Sequence, residues 1–220
     1  MRQRPAGLPG EASPDPDVAA SRLYFITPDV EPSRLIDLVR AAVSGGADVV
    51  QLRQKKLARG ELLQAARELR RITADAGKLF IVNDHVDIAL IAGADGVHLG
   101  PDDLSVAAAR RVAGDRLLIG ASASTPEAAR EAVAAGAGYL GAGPAFPTPV
   151  KTEKKVIDPE GVADVAKAVE APVFAIGGID ESNVARLTGL GVRRVCVIRA
   201  IGDAPDPEAA ARRLRAMLEA

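Results

Sequence analysis

Asp84 and Asp103 each stand just beyond a short apolar run, Leu79-Phe80-Ile81-Val82 and Gly96-Val97-His98-Leu99. If both runs are strands of one parallel sheet, the two carboxylates leave it at the same rim. Magnesium takes oxygen ligands, commonly one or two carboxylates completed by water and substrate phosphate, so this pair suits Mg2+. Taken alone, each acid fits the job of capping the following helix better than that of a ligand, and Asp102 keeps that reading. No His/Cys cluster has zinc-like spacing. His85 reads as a polar residue at a helix start and His98 as a barrel-lining or core residue, neither as a general base.

Other positions add polar groups. In Gln51-Leu52-Arg53-Gln54-Lys55-Lys56, extended chain would turn Gln51, Arg53 and Lys55 to one side, an amide and two cations able to hold a phosphorylated ligand; a solvated basic loop is the even alternative. Asn83 precedes Asp84. Ser122 places a hydroxyl beyond a fifth run, ahead of Thr125 as a helix cap. From Gly141 to Lys151, Gly and Pro interrupt regular structure, giving a lid or a long connector with Thr148 and Lys151 at the rim. Gly177-Gly178 either makes a turn or lets phosphate approach free backbone amides, and Ile198-Arg199 brings further amides.

Such groups converge only if the right elements carry them. Short aliphatic runs alternate with segments of helical period, predicting parallel strands joined by helical crossovers. Eight strands are expected near 23–26, 48–52, 79–82, 96–99, 117–120, 139–142, 173–176 and 194–198. Thr125-Pro126 and Asp206-Pro207 spell helix starts, and Gly45-Gly46, Gly77, Gly93, Gly136 and Gly191 spell helix ends. SGGADVV, IAGADGV, AAGAGYL and GLGVRRV form a quasi-repeat at the helix-to-strand joint. Eight units favour a single (β/α)8 TIM barrel, whose chemistry sits at the carboxyl ends of its strands, over an open doubly wound sheet.

Bulk composition excludes several classes. With 48% apolar and 26% charged residues, the chain suits an ordinary α/β domain rather than disorder, and a net charge of −1 argues against nucleic acid or an anionic membrane as partner. The single cysteine, Cys196, rules out a disulfide framework and reads as a buried inert thiol. No apolar stretch resembles a signal or a membrane span, so a cytoplasmic protein is expected. Residues 1–20 read as a flexible Pro/Gly-rich tail and residues 21–220 as the barrel.

In order, LYFITPD, VQLRQK, IVNDHVDIAL, ADGVHLGPDDL, IGAS, GAGPAFPTPVK, AIGGI and VIRAI resemble the thiamine phosphate synthase family from Tyr24 to Ile201. The resemblance implies a barrel transferase that joins hydroxymethylpyrimidine diphosphate to hydroxyethylthiazole phosphate with Mg2+, releasing diphosphate. It implies pyrimidine diphosphate contacts at Gln51, Arg53, Lys55, Asn83, Ser122 and Lys151, with Arg53 and Lys151 stabilising the departing group. Asp84 and Asp103 would hold the metal, and Thr148, Gly178, Ile198 and the Arg199 backbone the thiazole phosphate. Three positions depart from the family pattern: Val150 in place of a Thr, Arg199 in place of a Ser and Pro101 in place of a Gln. The related thiazole tautomerases use a His after the fifth strand, where Ala123 and Ser124 stand here. A non-catalytic phosphate-ligand-binding paralogue, and a phosphosugar isomerase or aldolase using Lys55 or Lys151, are the other readings.

Overall fold

The computed structural model describes residues 17–148 and 156–219. Eight parallel strands, β1 (Leu23–Ile26), β2 (Val49–Leu52), β3 (Leu79–Asn83), β4 (Gly96–Leu99), β5 (Leu118–Ala123), β6 (Tyr139–Ala142), β7 (Val173–Ile176) and β8 (Val195–Val197), follow one another around a closed barrel. The pairing of Tyr24 with Cys196 and Phe25 with Val197 joins β1 to β8, which excludes the open sheet. Between the strands lie α1 (Pro32–Ser44), α2 (Arg59–Asp75), α3 (Val86–Ala92), α4 (Val106–Ala113), α5 (Pro126–Ala134), α6 (Asp158–Lys167) and α7 (Val184–Gly189); α8 (Arg199–Gly202) and α9 (Pro207–Glu219) follow β8.

Alternation along the strands separates two cores. One face of each strand meets the helices, which answer with spaced apolar positions such as Leu35, Leu38, Val39 and Ala42 of α1. The other face fills the barrel with Tyr24, Ile26, Val49, Leu79, Ile81, Tyr139, Phe174 and Cys196. Both tyrosines of the chain are here, with Phe174 edge-on to each at ring-centroid distances of 5.4 and 5.9 Å. Gly120 on β5 makes room for them: a Cβ there would lie 2.1 Å from Cζ of Tyr139.

The Gly-Ala-Asp repeat has a structural meaning at the amino ends of the strands. Asp48 accepts the backbone N–H of Arg22 (2.8 Å) and Leu23 (3.1 Å), and Asp95 accepts that of Phe80 (2.8 Å). Each carboxylate thus pins the start of the preceding strand, and cations attend both: Lys78 and Arg215 at Asp48, Arg70 at Asp95. Where AAGAGYL has Gly138 instead, the Arg110 guanidinium donates to the carbonyls of Leu117 and Gly136.

Several sequence expectations shift in register. Asp48 stays outside β2 because its side chain serves β1. β5 runs to Ala123, three residues beyond expectation, because it stays paired with β6 through Ser122↔Gly141 and Ala123↔Ala142. Ser122 is therefore a strand residue rather than a loop residue. Thr125 and Asp206 cap as expected, accepting from Ala128 and Ala209. Gly46, Gly77, Gly93, Gly136 and Gly191 take left-handed backbone, whereas Gly45 does not: its constraint is α9, where a Cβ would meet the Glu208 carbonyl at 2.4 Å. Of the expected tail, residues 1–16 lie outside the described residues; Asp17–Ala20 form a turn in which Val18 packs against the barrel interior and the Ala19 carbonyl accepts from Arg194. No helix among the described residues is long and apolar enough to cross a membrane.

Candidate active site

At the carboxyl rim, the segment after β1 organises the cations of β2. Thr27 continues the pairing past the strand end: its N–H donates to the Gln51 carbonyl (3.0 Å), and its hydroxyl accepts from the Arg53 N–H (2.9 Å) and donates to the Arg53 carbonyl (3.3 Å). Asp29 accepts from the Lys55 N–H (2.8 Å), and its second oxygen lies 3.8 Å from the Arg53 guanidinium. Arg53 is thereby held against the barrel with 17% of its side chain exposed, which reduces the conformational freedom a ligand must remove. Asp29 was legible by the rule that singled out Asp84, an acid just beyond a strand end, yet sequence reasoning gave it no role.

β3 ends in Asn83, and Asp84 follows with φ of +64°, backbone that Asp and Asn tolerate better than other side chains. The Asp84 N–H donates to the His98 carbonyl (2.9 Å), tying this turn to β4. After β4, Asp103 closes a short loop by accepting the Gly100 N–H at 2.8 Å. Pro101 sits inside that loop, and the Asp103 carboxyl still reaches Asp84. Burial, then the hydrogen bond with Asp103 and its charge, push the Asp84 carboxyl up to about 6; the Lys55 and Arg53 cations oppose the rise. Four predicted residues are therefore electrostatically in touch: Arg53, Lys55, Asp84 and Asp103.

The capping reading fails for all three acids. His85 occupies the N-cap position of α3, and Ser105 caps α4 by accepting from Ala108, so Asp102 does not cap either. Among the described residues no group of three or more His, Cys, Asp or Glu could hold a metal; Mg2+ at a pair of carboxylates completes its shell with water or substrate oxygens. An all-oxygen pair fits a hard cation such as Mg2+ and not a soft one. Beside it lies a cavity of about 210 Å3 lined by Lys55, Asn83, Asp84 and His85 with Leu52, Gln54, Leu57 and Leu62.

Beneath the rim runs a row of hydrogen bonds that sequence reasoning missed. Gln51, 2% exposed, donates from Nε2 to the Tyr24 hydroxyl (2.7 Å). That hydroxyl meets the Tyr139 hydroxyl (3.0 Å), which meets His98 Nδ1 (3.2 Å), and His98 Nε2 meets the Ser122 hydroxyl (3.1 Å). Burial holds both phenols well above their ordinary range, so they stay protonated. His98 does line the barrel as expected; its bridging role needed the register of β4, β5 and β6.

The expected thiazole phosphate groups lie on the other arc of the rim. Gly178 has φ of +64°, and a Cβ on it would meet the Pro147 carbonyl at 2.5 Å, so the loop after β6 packs directly on it. Thr148, in that loop, is half-buried, while Val150 and Lys151 lie outside the described residues. Ile198 packs against the interior cluster at the N-cap of α8. The exposed Arg199 guanidinium pairs with Asp203 at 3.1 Å, within its own turn of chain.

The family model of thiamine monophosphate synthase matches residues 23–201, all eight strands and the rim groups between them. The chain belongs to the thiamine monophosphate synthase family. It is 42% identical over 198 residues to a thiamine-phosphate synthase of Pyrococcus abyssi, covering 90% of this chain and 95% of that protein. It is 48% identical over 191 residues to a thiamine-phosphate synthase of Gloeobacter violaceus, covering 86% of this chain but 55% of that longer protein. A solved structure, thiamine phosphate pyrophosphorylase from Pyrococcus furiosus, superposes with a TM-score of 0.83 at 39% identity, over 90% of this chain and 95% of that one. The family member described here is thus an enzyme of thiamine phosphate synthesis, built on the barrel that its sequence implied.

Proposed function

We propose that the chain joins hydroxymethylpyrimidine diphosphate to hydroxyethylthiazole phosphate, and that the two arcs of the rim divide the substrates between them. The pairing of Asp84 with Asp103, in reach of Arg53 and Lys55, carries this reading: it is a site short of positive charge on one side and supplied with it on the other. Asp84 and Asp103 would hold Mg2+, which when bound neutralises charge on diphosphate oxygens. Arg53, Lys55 and Lys151 hold the diphosphate, with Arg53 and Lys151 stabilising it as it departs. Gln51, Asn83 and Ser122 hold the pyrimidine. Thr148, Gly178, Ile198 and the Arg199 backbone receive the thiazole phosphate.

In this reading the bond between the pyrimidine methylene carbon and the diphosphate oxygen breaks, with the electron pair leaving on oxygen. The thiazole nitrogen lone pair then bonds to the methylene carbon. Neither event needs a general base, which agrees with a rim of cations and amides. The protein's task is to orient both halves and to offer preorganised charge to the leaving group. Incubation of the purified chain with both substrates and Mg2+ should yield thiamine phosphate and diphosphate in equal amounts. No product, with either substrate still bound, would make the chain a non-catalytic binder.

A further inference from the structure

The hydrogen-bond row beneath the rim has a direction. The Gln51 Nε2 group can only donate, so the Tyr24 oxygen accepts from it; the buried Tyr24 hydrogen meets no acceptor among the described residues other than the Tyr139 oxygen, so Tyr24 donates there. Tyr139 in turn passes its hydrogen to His98 Nδ1. A neutral imidazole that accepts at Nδ1 carries its proton at Nε2, and that N–H donates to the Ser122 oxygen. The Ser122 hydrogen is then turned away from His98, and Gln51 Oε1 accepts no hydrogen bond among the described residues. One end of the row therefore offers an acceptor on the β2 wall, and the other a donor on the β5 wall. A pyrimidine ring presents ring-nitrogen lone pairs that need a donor, and the acceptor on the opposite wall suits an N–H at the ring edge.

Resting on the function proposed above, we propose that His98 is a positioning residue: held by Tyr139 in its Nε2–H form, it fixes the Ser122 hydroxyl as the donor in the pyrimidine subsite. Reversing the Gln51 amide would reverse every bond in the row and place the imidazole proton on Nδ1, so one proton separates the two polarities. Gln51, Tyr24 and Tyr139 are buried, which makes either polarity stiff along that part of the row, because a break there leaves a buried group without its partner.

The test uses the full chain. It has two histidines, so 15N-histidine NMR of the substrate-free protein, with H98Q to assign the signals, reads the tautomer directly. His98 should be protonated at Nε2 and unprotonated at Nδ1. Y139F keeps the ring and removes the hydroxyl; it should lose the tautomer preference and raise KM for the pyrimidine diphosphate about tenfold, the size of one well-placed hydrogen bond. KM for the thiazole phosphate should stay within twofold. A merely structural role for Tyr139 would lower Tm without singling out one substrate. A proton on Nδ1 in the wild type, or a folded Y139F with both KM values unchanged, would overturn the proposal. Wild-type protein that makes no thiamine phosphate would overturn the functional reading instead, leaving the tautomer to decide the direction of the row.

Discussion

Asp84→Asn should make the metal-free protein more stable while removing its activity, and the gain should depend on pH in one direction. In the folded chain the Asp84 carboxyl is pushed from its ordinary 3.8 to about 6, first by burial and then by Asp103. A folded-state value above the unfolded one favours the protonated form, so ionisation destabilises the fold. The penalty is nearly absent at pH 4, grows as pH rises from 4 to 6, and is complete above 6. At about 1.4 kcal/mol per pH unit the full rise corresponds to about 3 kcal/mol, and residual solvent contact reduces it to about 1–2 kcal/mol. Asn cannot ionise, accommodates the left-handed backbone at this position and still offers Asp103 a donor. Thermal melts in EDTA should therefore place Asp84→Asn about 3–6 °C above wild type at pH 8 and within about 1–2 °C of it at pH 4. Mg2+ should raise the wild-type Tm and leave that of the variant unmoved. A variant no more stable than wild type at pH 8, or a difference constant across pH, would refute the view that the carboxylates repel each other in wait for a cation.

Three further outcomes follow from the same geometry. Asp103→Asn should return the Asp84 carboxyl toward its ordinary value by removing two of the causes of its rise, a change that an NMR titration of Asp84 would follow; an unmoved midpoint would mean that burial alone sets it. The Mg2+ concentration needed for half-maximal turnover should climb by up to about tenfold per pH unit below about 6, as protons compete for the pair, whereas identical requirements at pH 5 and 7 would remove that link. Gly120→Ala sets a methyl group against the Tyr139 ring and should cost at least about 1–3 kcal/mol in urea unfolding, with an unchanged midpoint contradicting the packing described.

Much of this barrel was legible because period and punctuation agree along the chain. Apolar runs, helix caps and left-handed glycines all mark the same boundaries, and four of the eight strands fall on the expected residues. The misplacements have local causes. Asp48 looked like the first residue of a strand but is drawn aside to serve β1, and the small residues Ala121, Ser122 and Ala123 looked like loop but continue the ladder with β6, Ala121 being paired with β4 as well. The rim acids were legible as a set of strand-end carboxylates, although their mutual contact was not, since it depends on the turn at Asp84 and the loop that Asp103 closes. Least legible was the row from Gln51 to Ser122. Its members come from five strands, and only the closed register makes Tyr24 and Tyr139 neighbours across 115 residues of sequence.

Barrel closure also gives Asp48 a part in the timing of assembly. On a chain emerging from the ribosome, β1 is made first, yet its second neighbour, β8, is completed only at Val197. Until then β1 has one unpaired edge, the kind of edge that recruits other strands. Asp48 holds the start of β1 through two amides and reaches Lys78 at the start of β3, so the earliest three strands share an anchor long before the ring can close. Arg215, near the end of α9, joins the same carboxylate last. The amino-terminal face, remote from the chemistry, thus ties the first three strands and the last helix to a single carboxylate.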